Sequence, residues 1–232
     1  QALQDDLIQA NKLATLGQIA AGVAHEINQP IAAIRTHADT AALYIEAEDR
    51  PAARRSLASI AGLTERVGAI TDELRAFSRK TRSETVAVGV EAAIRGALLL
   101  VGARMRETGV TLVHPPAPPD LAVMAERNRL EQVVLNLLQN AIEALRDTAD
   151  PMISLEVATK GRRVTIRIAD NGPGVAPEVR DRLFTPFTTD KRDGVGLGLV
   201  ISRDIVAGFG GELTLEPTTR GAAFVIRLMR AK

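Results

Sequence analysis

The chain has 232 residues, 46% hydrophobic and 25% charged, with 29 basic against 28 acidic side chains and no cysteine. These are the proportions of an ordinary globular protein. They exclude a disulfide framework and thiolate chemistry, and they give no bulk electrostatic reason to expect nucleic acid. The longest apolar run, residues 97–101, is far below the ~18 residues of a membrane span, so no membrane contact is expected within this stretch.

Residues 1–82 predict two long helices. Leu13, Leu16, Ala20, Val23, Ile27, Pro30 and Ile34 recur at spacings of three and four, and Ile60, Leu63, Val67, Ile70, Leu74 and Phe77 repeat that rhythm. The charged stretch 46–50 connects them, and Asp49 before Pro51 suits a helix start. A lone hairpin of this length buries such seams poorly. Two copies do so as a four-helix bundle, which makes a homodimer the expected state. Residues 78–85 are polar and carry no seam, so they read as a joint between domains. Beyond it, helices are predicted at 90–105, 129–145 and 199–208. Strands are predicted at 110–114, 121–125, 153–159, 164–169, 213–216 and 223–229, with Lys160-Gly161-Arg162 as a hairpin turn. Helices grouped with adjacent antiparallel strands indicate an α+β sandwich rather than a doubly wound parallel sheet. The expected domains are 1–82 and 84–232.

Ala20, Val23 and Ile27 face inward in the first seam, which leaves His25 outermost. A neutral imidazole is available near neutral pH and is nucleophilic, and Glu26 beside it can hold one ring nitrogen. Pro30 predicts a bend within about one turn, because it lacks an N–H and crowds the preceding turn. By itself an exposed helical histidine is ordinarily a solvated surface residue, and Gln29 breaks the zinc-protease spacing. The downstream segments change that weighting. Asn136 and Asn140 share one helix face, and one Asn carbonyl suffices for a nucleotide-bound Mg²⁺. Asp170 ends an alternating strand, where a carboxylate can accept a hydrogen bond from an exocyclic amine such as that of adenine. Gly172 and Gly174 let the backbone approach a flat ligand. Gly194, Gly196 and Gly198 precede an apolar helix whose first N–H groups suit phosphate, without the P-loop ending or the dinucleotide spacing. The intervening stretch of about twenty residues, with Phe184, Pro186, Phe187, Thr188, Thr189 and Lys191, reads as a lid. Singly, these are commoner as a capping Asn, an Asp-Asn-Gly turn and a solvated lysine. In this order they suggest phosphate moving from ATP to a histidine.

The combination resembles the transmitter core of bacterial sensor histidine kinases over nearly the whole chain. His25-Glu26-Ile27-Asn28-Gln29-Pro30 resembles the H box, Asn136 to Asn140 the N box and Asp170 to Gly174 the first G box. Leu183 to Phe187 resembles the F box, and Gly194 to Leu199 the second G box. Leu16-Gly17-Gln18 and Ile34-Arg35 are most like the C4-dicarboxylate and oxygen-sensing subgroup. The resemblance implies an antiparallel helical hairpin that forms a dimeric four-helix bundle. It also implies an α/β-sandwich ATP-binding domain shared with gyrase, Hsp90 and mismatch-repair ATPases. His25 would be phosphorylated with Glu26 as its partner, Asn140 would hold Mg²⁺, Asp170 would anchor adenine and Asn136 would assist near the phosphates. Gly172, Gly174, Thr189, Lys191, Gly194, Gly196, Gly198 and Leu199 would complete the ATP site. A response-regulator receiver domain is the implied acceptor of the phosphate. The stretch from Gln1 then reads as the cytoplasmic portion of a longer parent, compatible with a bacterial inner-membrane anchor upstream.

Three departures stand out. Gln29 occupies a place where many members carry Thr or Asn for phosphatase work. Asp190 interrupts the usual Thr-Thr-Lys run after the F box, and Gly221-Ala222-Ala223 lacks the threonines common in the third G box. The rival readings are an ATPase of the same superfamily and a non-catalytic dimeric scaffold. The ATPase would need a glutamate base where Asn136 stands, and an amide cannot take a proton from water. The scaffold would be expected to lose His25, Asn140 or the glycines, and all are present.

Overall fold

The structure, a computed structural model, describes residues 24, 27–78, 85–186 and 196–231. The chain divides into two compact units, one helical and one mixed.

The helical unit is a hairpin. Helix α1 covers residues 27–46 and runs through Pro30; α2 covers Arg50–Ser78. The chain reverses at Glu48, whose φ of 56° is uncommon for a residue with a Cβ. Asp49 then caps α2: its Oδ1 accepts a hydrogen bond from Ala52 N at 3.0 Å, satisfying one of the helix's orphan donors. Burial falls partly on the described part of the seam expected from the sequence and partly on alanines outside it. Pro30, Ala41, Ala52, Ala53 and Ile70 are buried, and Ile27, Ile34, Ile60, Leu63 and Val67 are half-buried. A second apolar set stays outside within one copy: Ile31, Leu43, Ile45 and Leu57, with Leu43 65% exposed.

In the mixed unit, β1 (Val86–Gly89) runs directly into α3 (Val90–Thr108). Strands β2 (Thr111–Val113) and β3 (Ala122–Ala125) lead to α4 (Arg127–Ala144). The hairpin β4 (Met152–Lys160) and β5 (Arg163–Asp170) follows, then the short α5 (Pro177–Arg180). Helix α6 (Gly198–Gly208) precedes the second hairpin, β6 (Glu212–Glu216) and β7 (Ala223–Met229). One sheet has the order β2-β4-β5-β7-β6, and β1 pairs with β3 in a separate two-stranded ribbon.

The core lies between the large sheet and the helices. On α4, Leu130, Val133, Val134, Leu137, Leu138, Ala141 and Ile142 are buried at spacings of three and four, the stripe of a helix that packs on one side. They meet β5, α3 and α6. Each of the Leu, Val and Ile side chains contributes about 1.5–3 kcal/mol on burial. Ile153, Leu155, Val164, Ile166, Ile168, Leu213, Ile226 and Leu228 supply the sheet side. Along the same strands the alternate residues are charged. Arg227 donates to Glu216 at 2.7 Å and to the Thr214 hydroxyl at 2.7 Å, and Arg167 lies 3.8 Å from Glu216.

The architecture matches the expected α+β sandwich, with four local differences. Strand β1 lies next to the polar joint and has only four residues, too few for an alternating signal. Strand β2 is shorter than the predicted 110–114 because His114 leaves the ladder, its ring bonded to Leu155 O at 3.1 Å and Glu91 at 3.2 Å. Strand β2 pairs parallel with β4, so the sheet is mixed rather than wholly antiparallel. Helix α5 falls within the stretch expected to be a lid; it begins with Pro177 and buries no residue, so apolar periodicity could not announce it. Among the described residues no helix is long and apolar enough to cross a membrane.

Candidate nucleotide site

Helix α4 positions the two asparagines. Asn136 and Asn140 lie one turn apart, half-buried, beside the stripe that faces the core. Asn136 Nδ2 donates to Ser202 Oγ at 2.9 Å, and Ser202 is only 2% exposed among Val200, Ile201, Ile205 and Val206 of α6. Gly198, which opens α6, admits no side chain: a Cβ there would lie 2.5 Å from Asn136 Oδ1. Gly196 adopts φ 71°, a left-handed conformation that glycine reaches without steric cost. Asn136 and Gly198 are thus packed into one contact. Leu199 follows in the first turn of α6, half-buried.

Strand β5 positions the carboxylate. Asp170 is its last residue, 8% exposed, and its backbone N–H donates to Ala222 O at 2.9 Å. Its Oδ1 accepts hydrogen bonds from Gly172 N at 2.9 Å and Ala222 N at 3.3 Å. Burial pushes the carboxyl above its ordinary pKa, and the N–H groups of Gly172 and Ala222 pull it partly back. Both donors sit on Oδ1, which leaves Oδ2 for a donor from a ligand. Gly172 also lies against the end of α4, where a Cβ would come 3.2 Å from Ala144 O. Gly174, with φ 82°, lies against Gly221 O. Helix α4 therefore joins the two clusters, carrying Asn136 in its middle and Ala144 at its end.

The expected residues Asn136, Asn140, Asp170, Gly172, Gly174, Gly196, Gly198 and Leu199 are all described, and the contacts above link most of them through α4. His25, Glu26, Thr189, Lys191 and Gly194 lie outside the described residues. Phe184 of the F box lies apart from this cluster, in an open groove with β6; the Arg203 guanidinium sits 5.3 Å above its ring. Neither asparagine nor Asp170 lines that groove.

Three supporting residues escaped the sequence reading. Ser202 carried one usable signal, since a hydroxyl inside an apolar helical face needs a buried partner. Asn171 looked like an ordinary turn residue. Its Oδ1 accepts from Met152 N at 2.8 Å and its Nδ2 donates to Asp150 O at 2.9 Å, which fixes the start of β4 beside Asp170. Gly221 stands out in the sequence only for the threonines missing after it, whereas its backbone lies directly against Asp170.

These residues fit an adenine nucleotide. A buried carboxylate keeps one oxygen for an amine, and glycine at 198 clears the opening of α6, whose first N–H groups have no partner within the helix. Among the described residues no cluster of three His, Cys, Asp or Glu could hold a metal ion unaided, so a divalent ion here would have to share ligands with phosphates and water.

Two family matches follow each other along the chain. Residues 15–83 match the "His Kinase A (phospho-acceptor) domain", and residues 125–232 match the "Histidine kinase-, DNA gyrase B-, and HSP90-like ATPase" family. The C4-dicarboxylate transport sensor protein DctB of Rhizobium meliloti is 47% identical over 100% of this chain, which covers 37% of that protein. DctB of Pseudomonas aeruginosa is 37% identical over 97% of this chain, again covering 37% of the relative. The chain thus spans about a third of the length of these curated relatives. The solved catalytic domain of histidine kinase ThkA is 30% identical, with a TM-score of 0.59; the match covers 64% of this chain and 97% of that one. ThkA in complex with response regulator protein TrrA gives a TM-score of 0.76 over 96% of this chain and 64% of that one; at 24% identity it speaks for the fold alone. The chain belongs to the sensor histidine kinases, as a phosphoacceptor hairpin followed by the ATP-binding domain of that family, and its relatives fit the C4-dicarboxylate sensor-like subgroup.

Proposed function

We propose that the chain transfers the γ-phosphoryl group of ATP to His25 and then to an aspartate on a response-regulator receiver domain. In the first step an imidazole nitrogen of His25 attacks the γ-phosphorus, the bond to the bridging oxygen breaks and ADP leaves. Glu26 holds the other ring nitrogen. Asn140 supplies one oxygen to the Mg²⁺ that accompanies the phosphates, and Asp170 accepts the adenine amine. Gly172 and Gly174 admit the flat base; Gly194, Gly196, Gly198 and Leu199 lead into the helix that faces the phosphates; Thr189 and Lys191 belong to the stretch read as a lid. Residues 1–82 are the dimerisation and phosphotransfer domain and 84–232 the catalytic domain, the cytoplasmic portion of a longer parent.

The observation that carries this reading is a run of contacts between segments distant in sequence: Asn136 of α4 against Gly198, the Asp170 turn against Ala144 of α4, and Gly221 in turn against Asp170. The exposed Ile31, Leu43, Ile45 and Leu57 support a second copy against the hairpin. Hydrolysis is the weaker reading, because Asn136 stands at the base position and its amide is bonded to Ser202. Incubating the chain with γ-labelled ATP and Mg²⁺ tests the proposal. The expected product is label on protein that is lost in acid and survives alkali. Label with the opposite stability, or release of inorganic phosphate alone, would contradict it.

A further inference from the structure

The segment that precedes β7 does more than close a hairpin. Thr218 is half-buried, and its hydroxyl donates to Gly221 O at 2.7 Å. Gly221 adopts φ 73°, and a Cβ placed there would meet Asp170 O at a distance no side chain tolerates, and Asp170 Oδ1 at 2.9 Å. The carbonyl that Thr218 holds is also the atom against which Gly174 packs, 2.9 Å from where a Cβ of Gly174 would be. One residue on, Ala222 gives its N–H to Asp170 Oδ1 and takes the Asp170 N–H on its carbonyl. The Thr218 hydroxyl thus fixes the carbonyl of a peptide unit whose other end, the N–H of Ala222, fixes one oxygen of Asp170.

We propose that Thr218 and Gly221 are positioning residues for purine selection. Together they hold the Gly221–Ala222 peptide so that Asp170 Oδ1 is occupied and Oδ2 alone meets the base. The proposal rests on the reading of Asp170 as the adenine anchor. It assigns to backbone, supported by a hydroxyl three residues earlier, an orienting duty that Ala222 and Ala223 have no polar side chains to perform. A carboxylate with one oxygen fixed presents a single acceptor in a single direction. Released, it can rotate off the line of the adenine amine and weaken that hydrogen bond, whereas guanine, with a carbonyl at that edge, has no such bond to lose, so the margin between the two purines narrows.

The test is calorimetric binding of ADP and GDP to the full chain, in the parent and in Thr218→Val, Thr218→Ser, Gly221→Ala and Asp170→Asn, with thermal melts on each. Valine keeps the shape of threonine and removes the hydroxyl. Thr218→Val is expected to weaken ADP about 3- to 10-fold with little change for GDP, the loss of one oriented hydrogen bond. Thr218→Ser should return the ADP to GDP ratio to within about two-fold of the parent, since the hydroxyl is restored. Gly221→Ala, if it folds, should lower the ratio at least as far; Thr218→Val carries the test if it does not. An unchanged ratio in Thr218→Val, or equal weakening of both nucleotides, would overturn the proposal while a lowered ratio in Asp170→Asn left the anchor standing. An unchanged ratio in Asp170→Asn would overturn the anchor, and this inference with it.

Discussion

At Asp170 a carboxylate is held where only 8% of the residue meets solvent, and burial raises its pKa. The folded chain therefore holds that proton more tightly than the unfolded chain does. By linkage, the associated stability is fully present below the unfolded pKa and is lost as pH rises through the folded one. At neutral pH the ionised side chain costs stability that an amide would not, and the amide oxygen can still accept from Gly172 and Ala222. Asp170→Asn is thus expected to melt at the same or a higher temperature than the parent at pH 7, an advantage that shrinks toward acid pH. Its ATP affinity should nevertheless fall roughly 10- to 100-fold, the range for a hydrogen bond to a charged group. The same shift fixes the direction of a titration. ADP affinity of the parent should start to fall on acidification above the usual aspartate range, and Asp170→Asn should show no such limb. Melts and calorimetry across pH check both; an acid limb that survives in Asp170→Asn would place the titrating group elsewhere.

Helices α4 and α6 are tied by Asn136 and Ser202, and the tie explains why glycine stands at 198. Asn136→Ala and Ser202→Ala are each expected to cost about 1 kcal/mol of stability. The double variant should fall short of the sum by about 0.5–1.5 kcal/mol, because one bond is removed twice. Gly198→Ala should cost about 1–3 kcal/mol through overpacking, and less when Asn136 is already alanine. Strict additivity in denaturant melts would deny the contact. The same pair marks what the sequence could convey. The stripe from Leu130 to Ile142 and the alternation from Val164 to Ala169 were legible because burial on one side imposes a period. Asp170 and the glycines were legible because few residue types end a strand in that way. Strand β1 and helix α5 were not, since four residues carry no period. The duties of Ser202, Asn171 and Gly221 were hidden for another reason: each depends on a partner 19 to 66 residues away, which only the fold brings near.

For the molecule as a whole, the hairpin and the ATP-binding domain make separable demands. Ile70 is fully buried within one copy, so a polar residue there should damage the hairpin itself. Leu57, 52% exposed, is the better probe of association. Leu57→Glu is expected to weaken the dimer at least about ten-fold, because a carboxylate would enter an apolar seam, while ATP affinity stays unchanged. Light scattering across a dilution series checks this, and a dimer indifferent to Leu57→Glu would move the interface. If the histidine and the nucleotide site are distinct parts of one transfer, removing the first must leave the second intact. The most direct measurement compares His25→Gln with the parent for labelled-phosphate incorporation and for ATP affinity in the same preparation. The variant should carry no acid-labile label and bind ATP within a few-fold of the parent. Label that persists in His25→Gln would place the phosphorylated residue elsewhere, and ATP binding lost along with the label in a folded chain would show that the two parts are not separate.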